Sequence, residues 1–213
     1  MDSLLTLRLE AFSRLSAEER TGLNSICDRP GRTVCARRDL VREGDAPRYI
    51  HLIVEGWACR YKQLPDGRRQ VVAIFVPGDM CDSNVFILKH MDHSIGAITD
   101  IRAVELGARD MEALTTEHPG IMQALWWHEL VTAATQREWM LNLGQRTAYE
   151  RIAHLITELF VRLEAVGLTY ENACDFHMTQ SDIADATGLT AVHVNRMLQD
   201  LRRDGLIQLE RSG

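Results

Sequence analysis

The first 26 residues place apolar side chains three and four positions apart, at Leu4, Leu7, Phe12, Leu15, Leu23 and Ile26, the spacing of one helix face. Ser16 followed by Glu19 forms a capping box, so short helices are predicted with an interruption there. From residue 33 to residue 106 the pattern shortens to runs such as Tyr49-Ile50-His51-Leu52-Ile53-Val54 and Val71-Val72-Ala73-Ile74-Phe75-Val76. Gly44-Asp45, Glu55-Gly56, Pro65-Asp66-Gly67 and Pro77-Gly78-Asp79 separate the runs, and turn signals at such intervals predict an all-β sandwich or barrel.

After Gly107 the helical period returns. Residues 110–117 read as a short helix, and Pro119 suits the first turn of a long one that extends to Leu143. That helix carries Ile121, Met122, Leu125, Trp126, Trp127, Val131, Trp139, Met140 and Leu143, more apolar surface than one β-domain could cover. A second copy of the helix is the expected partner, in a two-fold dimer; burial wholly within one chain is the other way to cover it. Asn142-Leu143-Gly144 reads as a hinge, and residues 147–166 as a further helix ended by Gly167.

The C-terminal pattern is the most specific. Thr179-Gln180-Ser181-Asp182 opens a short helix with a capping box, Gly188 falls where a tight turn needs a left-handed residue, and Thr190 can cap the next helix. In that second helix Val194, Leu198 and Leu201 share one face. Val192, Asn195, Arg196, Gln199 and Arg203 share the opposite one, where guanidinium and amide groups could meet base edges bidentately. Residues 205–209 read as a following strand, as a wing requires. Helix, short turn, polar-faced helix and strand together predict a winged helix-turn-helix; an ordinary helical hairpin with a solvated face is the bland alternative.

Composition qualifies this picture. The 213-residue chain has a formal net charge of −6, which disfavours a protein that coats nucleic acid through many phosphate contacts. Residues 177–213 contain four arginines and five carboxylates, so any DNA contact is expected to be local. No apolar run approaches the roughly 18 residues of a membrane span, and the N-terminus has the look of neither a signal nor a transit peptide. Five scattered cysteines without a C-x-x-C pair suit reduced thiols and a cytoplasmic setting.

The whole chain resembles the Crp/Fnr superfamily of transcription regulators. The resemblance rests on Arg42-Glu43-Gly44-Asp45, residues 49–56, Asp66-Gly67, Phe75-Val76-Pro77-Gly78-Asp79, Glu150-Arg151-Ile152-Ala153 and residues 179–209. It implies an α+β architecture: a cyclic-nucleotide-binding-like β-roll sensor over residues 1–118, a dimerisation helix and hinge over 119–143, and a winged helix-turn-helix over 144–213. It also implies a homodimer that places two recognition helices in successive major grooves of a near-palindromic DNA site, with RNA polymerase as a further partner. DNA contacts are expected from Thr190, Val192, His193, Asn195, Arg196 and Gln199. Where relatives that read the best-known sites carry a Glu, this chain has Val192, which can pack on a thymine methyl but cannot accept from a cytosine amino group. Arg196 matches the family's reading arginine, and a different half-site is expected.

The sensor also departs from the pattern. Aligned on Pro77-Gly78-Asp79, Asp82-Ser83 stand where cyclic-nucleotide-binding relatives have Gly-Glu, and His93-Ser94 where they have an Arg followed by Ser or Thr. An effector pocket is expected at Asp82, Ser83, His93, Ser94, Gln136 and Arg137. Asp82 and a mostly neutral His93 suit a phosphate poorly, so the small-molecule effector is not expected to be cyclic AMP in the standard mode. The iron-sulfur relatives use an N-terminal cysteine cluster, whereas no Cys precedes Cys27 here. His90, Met91 and His93 leave haem or another metal open, with His118 and His128 elsewhere, but such a loop is more often solvated, and no metal site or cofactor is assigned. Cys81, beside apolar segments, reads as an inert buried thiol. The competing function is a ligand-binding β-roll that regulates a protein partner through its C-terminal helices. Enzyme motifs such as G-x-S-x-G, H-E-x-x-H or a P-loop are absent from the sequence.

Overall fold

In the computed structural model, which describes residues 2–83 and 85–208, two short helices lead into a β-roll, and five helices follow it. Helix α1 (Leu4–Glu10) is capped by Ser3, and α2 (Ala17–Cys27) by Ser16, whose capping box with Glu19 is formed in both directions. Both pack their leucines into the roll core.

The roll contains β1 (Arg32–Val34), β2 (Asp39–Val41), β3 (Ile50–Glu55), β4 (Ala58–Gln63), β5 (Arg69–Phe75), β6 (Met80–Cys81), β7 (Ser94–Ala97) and β8 (Ile101–Leu106). They form two four-stranded antiparallel sheets in the orders β1-β8-β3-β6 and β2-β7-β4-β5. Ile50, Leu52, Ala58, Phe75, Ile95, Ala97, Ala103 and Leu106 fill the space between them, as expected when two sheets pack face to face. Gly78 has φ of +91°, and a Cβ there would lie 2.8 Å from the Leu4 carbonyl oxygen. Only glycine lets α1 approach the β5–β6 turn this closely.

Helices α3 (Ala108–Glu117), α4 (Pro119–Gly144), α5 (Ala148–Glu164), α6 (Gln180–Thr187) and α7 (Ala191–Arg203) complete the chain. No described helix is long and apolar enough to cross a membrane. The bend expected at Asn142-Leu143-Gly144 falls later, because α4 continues through Gly144 and Thr147 caps α5. Asn142 is buried and donates to the Arg151 carbonyl, 3.3 Å away, so it ties the two helices together.

A second buried cluster joins Trp57, Cys59, Val71, Ile74, Val76 and Ile98 of the roll to Ile152, Leu155, Leu159, Ile183, Val194, Leu198 and Leu201. The C-terminal helices thus share a core with the outer side of the roll. One expectation requires correction: residues 205–208 form no strand, and Leu209 lies outside the described residues. The Gly205 and Leu206 amides turn back onto the Arg202 and Leu201 carbonyls at 3.1 and 3.0 Å, and Gly205 has φ of +72°. Those groups close the end of α7 and are unavailable to a β-ladder.

Candidate functional site

Local hydrogen bonds set the relation of α6 to α7. The Thr179 hydroxyl accepts from the Asp182 amide at 3.3 Å, while the Asp182 carboxylate accepts from the Thr179 amide at 2.9 Å. Gly188 adopts φ of +67° and closes α6. The Thr190 hydroxyl accepts from the His193 amide at 3.2 Å and starts α7. Val194, Leu198 and Leu201 are buried against α5 and α6, so the opposite stripe must face outward.

Val192 is 82% exposed. Thr190, Asn195, Arg196 and Gln199 are also exposed, and His193 is half-buried. The six residues expected to touch DNA therefore lie at the start and along one side of α7. Arg203, on the same stripe, is held by Asp200 at 2.7 Å. Gln180, unmarked in the sequence, donates to the Asn195 side-chain oxygen at 3.2 Å. Its position at the start of α6, across the turn from α7, is the signal that could have found it.

The second site is a cavity of about 920 Å³ between β5, the segment after β6 and helices α4 and α5. Asp82, Ser83, His93 and Gln136 line it. Ser94 is instead buried in β7, its hydroxyl accepting from the Glu43 amide at 2.9 Å, and Arg137 is exposed outside the lining. The walls are largely apolar, with Val72, Phe75, Val85, Leu88 and Val161 among them.

Charges at its roll end are matched to one another. His93 Nε2 lies 2.9 Å from Asp82 and Nδ1 lies 2.6 Å from Asp92. Arg60, which the sequence pattern did not mark, donates to the other oxygen of Asp82 and stacks on the Phe75 ring. Burial opposes charge on both His93 and Asp82. The neighbouring carboxylates nevertheless raise the imidazole above its ordinary value, and His93 with Arg60 lowers the Asp82 carboxyl. Asp82 also takes φ of +59°, a conformation in which Asp is among the few tolerated non-glycine residues. Neither nitrogen of His93 is left for a metal, and Met91 is buried away from His90, which is exposed. All five cysteines are unpaired; burial pushes the Cys81 thiol well above its usual range and Cys59 to about 11, which suppresses the reactive thiolate.

Family models match two parts of the chain: a cyclic nucleotide-binding domain over residues 32–118 and a Crp-like helix-turn-helix domain over residues 150–213. The chain is 30% identical over 201 residues to the transcriptional activator protein FnrL of Cereibacter sphaeroides, covering 93% of this chain and 79% of that one. It is 31% identical over 174 residues to the nitrogen fixation regulation protein FixK of Rhizobium meliloti, covering 81% and 75%. The solved structure of FixK2 from Bradyrhizobium japonicum superposes with a TM-score of 0.73 at 26% identity, covering 85% of this chain and 88% of that one.

Proposed function

Because the chain belongs to the Crp/Fnr family of transcription regulators, with that family's helix-turn-helix, we propose that it is a dimeric, sequence-specific DNA-binding regulator. The observation that carries this reading is the outer face of α7, where Val192, Asn195, Arg196 and Gln199 are exposed on a helix whose other face is fully packed. In the major groove, Arg196 donates bidentately to a guanine, Val192 packs on a thymine methyl, and Thr190 at the helix start meets phosphate. With the Asn195 oxygen occupied by Gln180, its amino group is the end turned to the DNA. The modest charge of the region makes binding depend on these few contacts.

Dimerisation places a second α4 along the first. Trp126, Leu130 and Met140 of α4 are 71%, 59% and 72% exposed, and apolar surface of that extent on a long helix supports a second copy as its cover. A small-molecule effector enters the cavity and biases the geometry of the long helices, and hence of the two recognition helices. It is not cyclic AMP bound in the standard mode: Asp82 occupies the cradle, Arg60 is already committed to it, and the other arginines of the lining, Arg8 and Arg162, are paired with Asp79.

Selection from a random pool of duplexes by the full-length protein tests both parts. A near-palindromic sequence is expected to emerge, with the same enrichment whether or not cyclic AMP is present. Absence of any enriched sequence would refute the DNA reading, and enrichment only with cyclic AMP would refute the effector reading.

A further inference from the structure

The helix-turn-helix is fastened to the roll by arginines that the family resemblance did not mark. Arg37 lies in the turn between β1 and β2 with φ of +66°, a conformation unusual for a residue with a long side chain. Its amide donates to the Ala97 carbonyl at 2.8 Å, which ties that turn to β7. The guanidinium reaches α6 and grips both oxygens of Asp182, at 2.5 and 3.0 Å. Arg69 of β5 adds a second hold: it lies 3.7 Å from Asp182, donates to Asp185 at 2.9 Å and stacks on the Tyr61 ring. Gln70 donates to the Ala186 carbonyl at the end of α6.

Asp182 is the centre of this arrangement. Its side chain is 2% exposed, and the same carboxylate accepts from the Thr179 amide and hydroxyl that cap α6. Helix α6 cannot turn away from Arg37 without disturbing its own N-terminus. Through the Gly188 turn and the shared core, the orientation of α6 is also the orientation of α7. Beneath the ion pairs lies an apolar seam in which Trp57 meets Phe176 and His177 edge-on. Apolar burial holds the two parts together but is non-directional, whereas a bidentate arginine–carboxylate pair fixes an angle.

We propose that Arg37, with Arg69, acts through Asp182 as a positioning residue for DNA reading, setting the angle of the helix-turn-helix on the roll and so the half-site spacing that the dimer accepts. The proposal rests on the dimeric DNA reading above. Successive base pairs are offset by about 3.4 Å along the duplex, so a recognition helix held at one angle on each protomer fits one spacing, and a loosely held one fits several.

The test uses the full-length protein and duplexes in which the two selected half-sites are kept constant while the spacer is lengthened or shortened by a single base pair. The Arg37→Ala/Arg69→Ala double variant is expected to lose at least about fivefold of the wild-type discrimination between spacers, with the base preference inside each half-site unchanged. Unchanged discrimination would overturn the proposal. So would joint loss of spacing and base preference, which would make the arginines merely structural. Hydrogen exchange provides a readout without DNA: in the double variant the amides of α6 should speed up more than those of β3 and β8 in the roll, and an equal change in both regions would overturn the clamp. If the wild-type protein selects no sequence, the function proposed above fails, and the exchange result still decides the clamp.

Discussion

The outer face of α7 and the roll end of the cavity both present arginine, histidine and polar side chains, yet they differ in what those groups are bonded to. On α7, the side chains of Arg196 and Gln199 are exposed and make no hydrogen bond or ion pair with another described residue. In the cavity, Arg60 and His93 are both committed to Asp82, and His93 also to Asp92. Free donors on an exposed helix are available to an outside partner, whereas matched buried charges satisfy one another. The same residue types therefore support base reading in one region and argue against phosphate binding in the other.

The largest effect separates the two faces of α7. Leu198, 6% exposed, should cost about 2–5 kcal/mol when changed to Ala, because a cavity replaces its contacts in the core. Gln199→Ala, one position along, should change stability by less than about 0.5 kcal/mol. Urea unfolding of the two variants measures both, and comparable losses would mean that the faces have been assigned wrongly.

A smaller effect probes the matched charges. Because Asp82 and Asp92 overcome the cost of burial and raise the His93 imidazole, its contribution to stability is fully present below its unfolded value of about 6.5. That contribution is lost as pH rises through the higher folded value. Asp82 is depressed, so its contribution is lost only on acidification, as pH falls through its folded value. The stability gap between the wild-type protein and His93→Gln should therefore be wider at pH 6 than at pH 9. A gap that is constant, or wider at pH 9, would show that the imidazole is neutral in the folded protein.

The helix-turn-helix was legible because its determinants are local. The Thr179 capping box, Gly188, the Thr190 cap and the stripe of Val194, Leu198 and Leu201 all act within a few residues of each other, and each recurs in the structure as expected. Arg60 was not legible, since its partner Asp82 lies 22 residues away and meets it only after the roll closes. Arg37 and Asp182 are separated by 145 residues, beyond the reach of periodicity or motif. Over residues 205–208 the strand expected after α7 is absent for a different reason. Its residues have a strand-like pattern, but the Gly205 and Leu206 amides are used to end the helix. The shared core between the roll and the C-terminal helices was likewise hidden, because Trp57, Val71 and Ile74 read as ordinary strand residues until Ile152, Leu155 and Ile183 are placed against them.

Whether α7 reads bases or merely rests on phosphates is decided most directly by Arg196→Ala. Its affinity would be measured on four duplexes that differ only in the base pair contacted by that residue. A loss of about 1–3 kcal/mol on the preferred duplex is expected, with near-equal affinity for all four in the variant. An equal loss on all four, with the wild-type preference retained, would contradict base reading.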